Sequence, residues 1–414
     1  MAGAYRDLFL VPGSRAFFVS GVLGRISMAM FGIGIILLVS AMTGSYGIAG
    51  VVAAAYTIGS ATATPIAGRL TDRHGQHPVL FAMAAGTAVS AAALIVCAQT
   101  RMPTWALCVA AAALGAASPS LGGLVRARWT YLLDSPSRRQ VAYSLESVAD
   151  ETIFVIGPML VAVVATGLHP AGGLAIAAVL TISGCLALGA QRGTQPAPAP
   201  RRRRAGGRDG GIVGTGMVAL VVIFLLLGFV LTAVDVALVA FADESGHRAA
   251  AGPLLAIYAL GSTVAGLWYG VRRWRASLAR RFRAALVFLA VGLIPIVLVR
   301  DLPLMMAVVF LAGLATSPTL IPGFGLVERL VPGHRLTEGL SWLATAVRVG
   351  ATAGAPVAGR VADGHGTEVA FVIPLAAAVL AAGIGVAATG ALGRARPSDV
   401  SSTEPTTTEP TTRP

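Results

Sequence analysis

The 414-residue sequence contains no lysine, so all 31 of its basic residues are arginine. A phosphate-binding loop of the Walker type needs its lysine, and ATP hydrolysis by that route is excluded. Cysteine is nearly as scarce: Cys97, Cys108 and Cys185 stand alone inside apolar runs. Their spacing offers neither a disulfide framework nor a thiolate metal centre. Charged residues make up 12% and aromatics 6% of the chain, against 56% hydrophobic residues and a mean hydropathy of +0.78. That balance lies far outside the range of soluble domains and describes a membrane chain.

What fills the sequence is a series of apolar runs, each long enough to cross a hydrocarbon core of about 30 Å as a helix. Twelve are expected: Ala16 to Ser40, Tyr46 to Ala67, Pro78 to Ala98, Thr104 to Val125, Val141 to Thr166, Ala171 to Ala190, Ile212 to Phe241, Gly252 to Val271, Arg283 to Val299, Pro303 to Val327, Glu338 to Arg360 and Glu368 to Leu392. The first run is too long for a removable signal peptide and lacks a small-residue cleavage site.

Arginine-rich short loops stay on the cytoplasmic side of a bilayer. With a cytoplasmic N-terminus, 25 arginines fall in cytoplasmic segments, four (Arg101, Arg248, Arg300, Arg360) near external ends and two (Arg25, Arg348) inside helices. Both termini are therefore expected in the cytoplasm, at the plasma (cell inner) membrane. The net charge of +13 then faces anionic lipid headgroups. The run Arg201 to Arg204 lies in a Pro/Gly/Arg-rich stretch with no groove-reading module, so it reads as a solvated tether and nucleic-acid binding is not expected.

Other apparent motifs fail on context. Gly214 to Ala219 imitates a dinucleotide-binding loop but opens a membrane helix with no preceding strand. His74 and His77 have no third ligand nearby, so no metal site is expected. No cofactor and no catalytic residue is expected either, and the chain reads as a non-enzyme.

The two halves resemble each other. "ASPSL" (Ala117 to Leu121) recurs as "TSPTL" (Thr316 to Leu320), "AYTIGS" (Ala55 to Ser60) as "IYALGS" (Ile257 to Ser262), and Pro158 falls on Pro356, all at offsets near 200. Three separated matches at nearly one offset indicate a duplicated six-helix unit. The expected organisation is a first bundle over 1–191, a cytoplasmic linker over 192–211, a second bundle over 212–393 and a disordered tail over 394–414.

Between spans 2 and 3 the sequence reads "GRLTDRHG". Twelve spans as six plus six, a basic central linker and Gly68, Asp72, Arg73 and Gly75 in that loop resemble the major facilitator superfamily of secondary transporters. The resemblance implies an all-α membrane protein of two six-helix bundles, related by pseudo-two-fold symmetry around a central cavity. It also implies that the loop rests against span 11 and holds the cytoplasmic side closed, with Asp72 pairing with Arg126 or Arg128 as a latch. Asp72 also faces the positive end of span 11, each such interaction contributing about 0.3 to 1 kcal/mol. Gly68 and Gly75 allow close approach and a tight turn. The matching stretch of the second half, "GLWYGVRRWR", has no aspartate, so the latch is one-sided. Gly157 with Pro158, and Gly354 with Pro356, resemble the helix-bending pattern of drug–proton antiporters in this superfamily. The arginine those antiporters carry in span 4 is missing.

Ionisable residues at membrane depth cost at least about 2.5 kcal/mol each on insertion scales and default to functional candidates. They are Arg25, Glu146, Asp150, Glu151, Asp235 and Arg348. Arg25 and Asp150 lie at similar depth, about 15 Å into their helices. Glu146 and Asp150 share a helix face, while Glu151 is rotated by about 100°. By the repeat, Asp150 maps onto Arg348, and the expected pairs are Arg25 with Asp150 and Asp235 with Arg348. The structural alternative is a set of salt bridges that only fix packing. Proton-coupled export of a small apolar or amphipathic molecule by a monomer is the first expectation. An importer of an anionic or polar solute is the second, if Arg25 or Arg348 binds the anion. A non-transporting receptor or scaffold is a remote third.

Overall fold

The computed structural model describes residues 2–198, 214–247 and 250–393. Arg201 to Arg204, Arg248 and the tail 394–414 lie outside the described residues. The first half contains α1 (Ala2–Leu8), α2 (Ser14–Ile26), α3 (Phe31–Thr43), α4 (Tyr46–His74), α5 (Gln76–Gln99), α6 (Thr104–Ala117), α7 (Leu121–Leu132), α8 (Pro136–Gly167) and α9 (Gly172–Ala190). The second contains α10 (Thr215–Glu244), α11 (Ala251–Val271), α12 (Leu278–Leu298), α13 (Leu302–Gly313), α14 (Thr316–Leu330), α15 (Leu336–His365), α16 (Thr367–Ala387) and α17 (Thr389–Gly393). No strand occurs among the described residues.

Three expected single helices are broken. The first crossing divides into α2 and α3 at a 3-10 turn, Ser27–Ala29. The fourth divides into α6 and α7 at Ser118 to Ser120, where Pro119 has no N–H to give and pushes Ser118 into an extended conformation, ψ 114°. Its repeat counterpart divides into α13 and α14 just before Pro318. Counting each broken pair once, six crossings lie in each half. Eleven of them are long and apolar enough to span a membrane by length and composition. The remaining one, α15, is amphipathic and buries Thr337, Glu338, Ser341 and Thr345.

The expected loop Gly68–Gly75 is not a loop. Nothing between those glycines breaks a helix, so α4 runs on through His74, and the chain turns at Gly75 alone, whose φ of +86° suits a residue without Cβ. Likewise α8 begins at Pro136, before the apolar run does, because Pro at a first helical position costs nothing.

Glycines set the helix spacing within each half. A Cβ at Gly115 or Gly59 would collide with the backbone at Tyr56 or Ala112, and one at Gly313 or Gly261 with the backbone at Tyr258 or Phe310. The same close crossing thus occurs twice, α4 on α6 and α11 on α13, as a repeat requires. Gly228 and Gly350 bring α10 and α15 together in the same way.

The two cores differ. Apolar contacts in the second half form one continuous cluster running the length of α10 and α15. In the first half they form two clusters. Between them lies a buried polar layer that includes Arg25, Ser27, Glu146 and Thr181.

Candidate functional site

Arg25 ends α2 at the centre of that layer and is 2% exposed. Its Nη2 forms a 2.6 Å ion pair with Glu146 Oε2, and its Nη1 donates to Asp150 Oδ1 at 2.8 Å. Asp150 Oδ2 accepts from Arg126 Nη2 at 2.7 Å, and Glu146 Oε1 accepts from Trp129 Nε1 at 2.8 Å. The Arg126 guanidinium also lies 4.2 Å from the ring centre of Phe324 in the other half. Two arginines and two carboxylates therefore neutralise one another in a closed network. Glu146 and Asp150 reach it together because they are one helical turn apart on α8.

Glu151 points the other way, across the interface between the halves. Its Oε1 accepts from Ser262 Oγ on α11 at 2.7 Å, and Ser262 in turn contacts Ser317 Oγ at 2.9 Å. Asp235, half-buried on α10, has no ion-pair or hydrogen-bond partner among the described residues. The charge it feels is that of Glu151, and Tyr258 lies in the field of both carboxylates. Tyr258 Oη is 2.9 Å from Thr316 Oγ1.

The expected pair of Asp235 with Arg348 does not form, and depth is the reason. Gly359 is level with Asp235, since its Cβ position is 3.9 Å from Val236 Cγ1. Arg348 precedes Gly359 by eleven residues, about 16 Å along α15. Arg348 instead crosses to the first half, donating from Nη1 to Ser60 Oγ at 3.0 Å and from Nη2 to Met28 Sδ at 3.3 Å. Its Nε has no partner. With Arg25, Met28, Phe31, Tyr56 and Ser118 it lines a small cavity of ≈ 20 Å³ whose other walls all come from the first half.

Every described polar contact between the halves lies at this depth or towards the side where α9 ends and α10 begins, called the linker side below. There Asp72 accepts from the backbone amides of Thr337 (3.2 Å) and Glu338 (2.9 Å), the free N–H groups of the first turn of α15. Glu338, 1% exposed, is gripped by Arg69 Nη2 at 2.7 Å and Nε at 3.0 Å, and by Arg335 Nε at 3.0 Å. Gly68 permits the crossing: a Cβ there would lie 2.7 Å from Ser341 Oγ and 2.9 Å from Glu338 Cα. Arg73 is exposed at the end of α4.

Arg126 and Arg128 are not partners of Asp72. Arg126 belongs to the Arg25 network. Arg128, fully buried, donates to Gln76 Oε1 (2.6 Å), Thr194 Oγ1 (2.6 Å), Leu188 O (2.8 Å) and Gln191 O (3.0 Å), tying α7 to the start of α5 and the root of the linker. Two positions apart, they point to opposite sides of α7, Arg126 towards Asp150 and Phe324 and Arg128 towards α5 and the end of α9. Arg69 and Glu338 were not among the expected latch residues, although Arg69 stands three positions before Asp72 and so on the same face. A second contact that sequence reasoning missed joins Arg139 Nη1 to Glu328 Oε2 at 2.7 Å.

Pro158 and Pro356 lie inside α8 and α15. Gly157 lets α8 touch the break in the first crossing, its Cβ position being 2.8 Å from Ala29 Cβ, and Gly354 is similarly close to Phe229 O, at 2.5 Å.

The sequence matches the Major Facilitator Superfamily over residues 17–300 and again over 219–412. The chain belongs to that superfamily. No curated relative matches it. Solved superfamily structures share its fold at low identity. The human organic anion transporter TETRAN is 16% identical, with a TM-score of 0.68 over 92% of this chain and 99% of that one. A bacterial homologue of the iron transporter ferroportin in its outward-facing state is 16% identical, with a TM-score of 0.71 over 91% and 99%. The symporter FucP in its outward conformation is 15% identical, with a TM-score of 0.68 over 92% and 99%. The protein is thus an integral membrane protein of two six-helix bundles and, as a member of this superfamily, a secondary transporter rather than an enzyme.

Proposed function

We propose that the protein exports a small amphipathic molecule against inward proton movement, and that the carboxylates Glu151 and Asp235 carry the proton. The observation behind this reading is a contrast. Asp150 is locked between two arginines and Glu146 between Arg25 and Trp129, whereas Glu151 has only a serine hydroxyl and Asp235 has no partner among the described residues. Desolvation favours the neutral form of a carboxyl group and a nearby cation favours the charged form. A carboxylate that meets no cation in one state of the cycle, and water in another, takes up and releases a proton as the cavity alternates. Asp150, ion-paired with two arginines, is read here as a structural anchor.

The conformation fits an exporter awaiting protons. The halves are joined on the linker side, and the arginine distribution assigns that side to the cytoplasm, so the cavity faces outward. The mostly aliphatic sequences of α3 and α10 suit an apolar or amphipathic cargo. The test is accumulation in cells lacking or overproducing the protein, followed by transport of the identified compound in vesicles with an imposed proton gradient. Retention of gradient-driven transport in a Glu151→Gln/Asp235→Asn double variant would overturn the coupling assignment.

A second reading rests on Arg348, which faces the cavity with no carboxylate partner and fits an anionic group on the cargo. It accords with the organic anion specificity in the name of TETRAN. Uptake of an organic anion lost in Arg348→Gln, with no effect of proton gradient, would favour it.

A further inference from the structure

The aspartate that is missing from the second half leaves a specific position to inspect. Along α4 and α11 the repeat offset is 202, which sets Tyr56 on Tyr258 and Gly59 on Gly261, so Gly68 falls on Gly270 and Asp72 on Trp274. Along α8 and α15 the offset is 198, as for Pro158 and Pro356, so Glu338 corresponds to Gln140 and Thr337 to Arg139. In the first junction α4 meets α15. In the second, α11 meets α8.

A carboxylate at position 274 would find no free amides to bind. The N–H groups of Thr337 and Glu338 are free because α15 starts at Leu336. Their counterparts are not free, because α8 starts earlier, at Pro136, and the Arg139 amide already donates to Ser135 O at 3.1 Å. One extra turn of α8 consumes the donors that Asp72 uses.

Contacts of opposite polarity take their place. Gln140 Nε2 donates to Tyr269 O (2.8 Å), Gly270 O (3.0 Å) and Arg272 O (3.0 Å) at the carbonyl-rich end of α11. Ser144 Oγ donates to Gly266 O at 2.5 Å. Tyr5, from α1, puts its hydroxyl into the remaining space, donating to Leu267 O at 2.8 Å and lying 2.9 Å from Ser144 Oγ. A Cβ at Gly270 would lie 2.7 Å from that hydroxyl oxygen. Tyr5 thus reaches the crossing of α11 on α8 at Gly270, the counterpart of the crossing of α4 on α15 at Gly68.

We infer that α1 is a strap that closes the linker side of the second junction, its Tyr5 hydroxyl tying the halves together at a junction that has no capping aspartate. The strap is anchored in the first half: Leu8 is buried in the linker-side cluster, and Phe9 packs edge-on against Phe18 at 5.5 Å. Its tip bonds the second half. Donors suit this junction because they face a helix C-terminus, where exposed carbonyls carry partial negative charge. When the linker side opens, Leu267 O parts from α8, and the Tyr5 hydroxyl must leave either Ser144 or Leu267. The closed state thus gains a contact that the open state lacks, and α1 acts on the equilibrium between them without touching the cavity.

Spin labels at Ser137→Cys and Arg273→Cys, both exposed and on opposite sides of this junction, test the strap by double electron–electron resonance in a background with the three native cysteines replaced by alanine. The parent protein gives one short distance. Tyr5→Phe keeps the ring and loses only the hydroxyl, and the ratio of long to short distances rises about five-fold, as expected for one net hydrogen bond. An unchanged distribution in Tyr5→Phe overturns the strap. Asp72→Asn serves as a reference, since it opens the same label pair through the other junction whether or not the strap exists. The measurement needs neither substrate nor gradient, so failure of the proton-coupling reading leaves it intact.

Discussion

Asp72 and Glu338 meet through a backbone amide, the carboxylate of the first accepting the N–H of the second at 2.9 Å. The side chain of Glu338 is left free to take Arg69 and Arg335. A helix start on one half is therefore capped by a side chain from the other, and separating the halves exposes both the amides and a buried carboxylate.

Asp72→Asn keeps an acceptor and loses the charge, so the linker-side-open population should rise about three- to ten-fold, in line with about 1 kcal/mol for a helix-end charge. Glu338→Gln should shift it further, because Arg69 and Arg335 lose their shared partner. Maleimide labelling of a cysteine introduced at Leu340, fully buried against Gly123, reports the change from the linker side. Equal labelling rates in parent and both variants would refute the junction as a closing element.

Removing Arg25 leaves Glu146 and half of Asp150 uncompensated inside the bundle. Arg25→Met should lower stability by about 3 to 5 kcal/mol. Adding Glu146→Gln to it should recover part of that loss, since the orphaned charge is then gone. Thermal unfolding in detergent of the two single variants and the double closes the cycle. Additive losses would show that the pair is not coupled.

Glu151→Gln and Asp235→Asn should each abolish gradient-driven accumulation while leaving downhill exchange of the cargo, because neither residue holds the fold together. Asp150→Asn should instead reduce folded yield, having two arginines to disappoint. The discriminating measurement is the ratio of driven transport to exchange for each variant at equal protein amounts.

At Gly228 and Gly350 an added Cβ would collide with the backbone at Val347 and Leu225, so Gly228→Val or Gly350→Val should push α10 and α15 apart and collapse the yield of monodisperse protein. Gly252→Ala, with nothing within 4 Å of its Cβ position, should be silent. Size-exclusion profiles of the three variants check this.

The helical architecture was legible because runs of about 20 apolar residues admit few alternatives. The meeting of Arg25 with Asp150 was readable too, since both depth and helix phase follow from residue number. Three features were not. A helix that continues past the membrane surface carries polar residues like a loop's, which hid the end of α4. That Asp72 meets the start of α15 was expected, but not that the amides there take the place of Arg126 or Arg128 as its partner. Asp235 and Arg348 failed to meet because repeat correspondence fixes neighbouring helices and says nothing of level. Counting residues from each helix end separates them by several turns.

The Arg25 network also sets an order of events during synthesis. Arg25 is translated 121 residues before Glu146 and 125 before Asp150. At about 5 to 20 residues per second, the first crossing waits roughly 6 to 25 seconds for its counter-charges. Throughout that interval an arginine sits unpaired in the translocation machinery or the lipid, at a cost of about 2.5 to 3.5 kcal/mol. The nascent first crossing is thus only provisionally inserted until α8 emerges, and the ribosome must have delivered five of the first six crossings before the chain can commit to its topology.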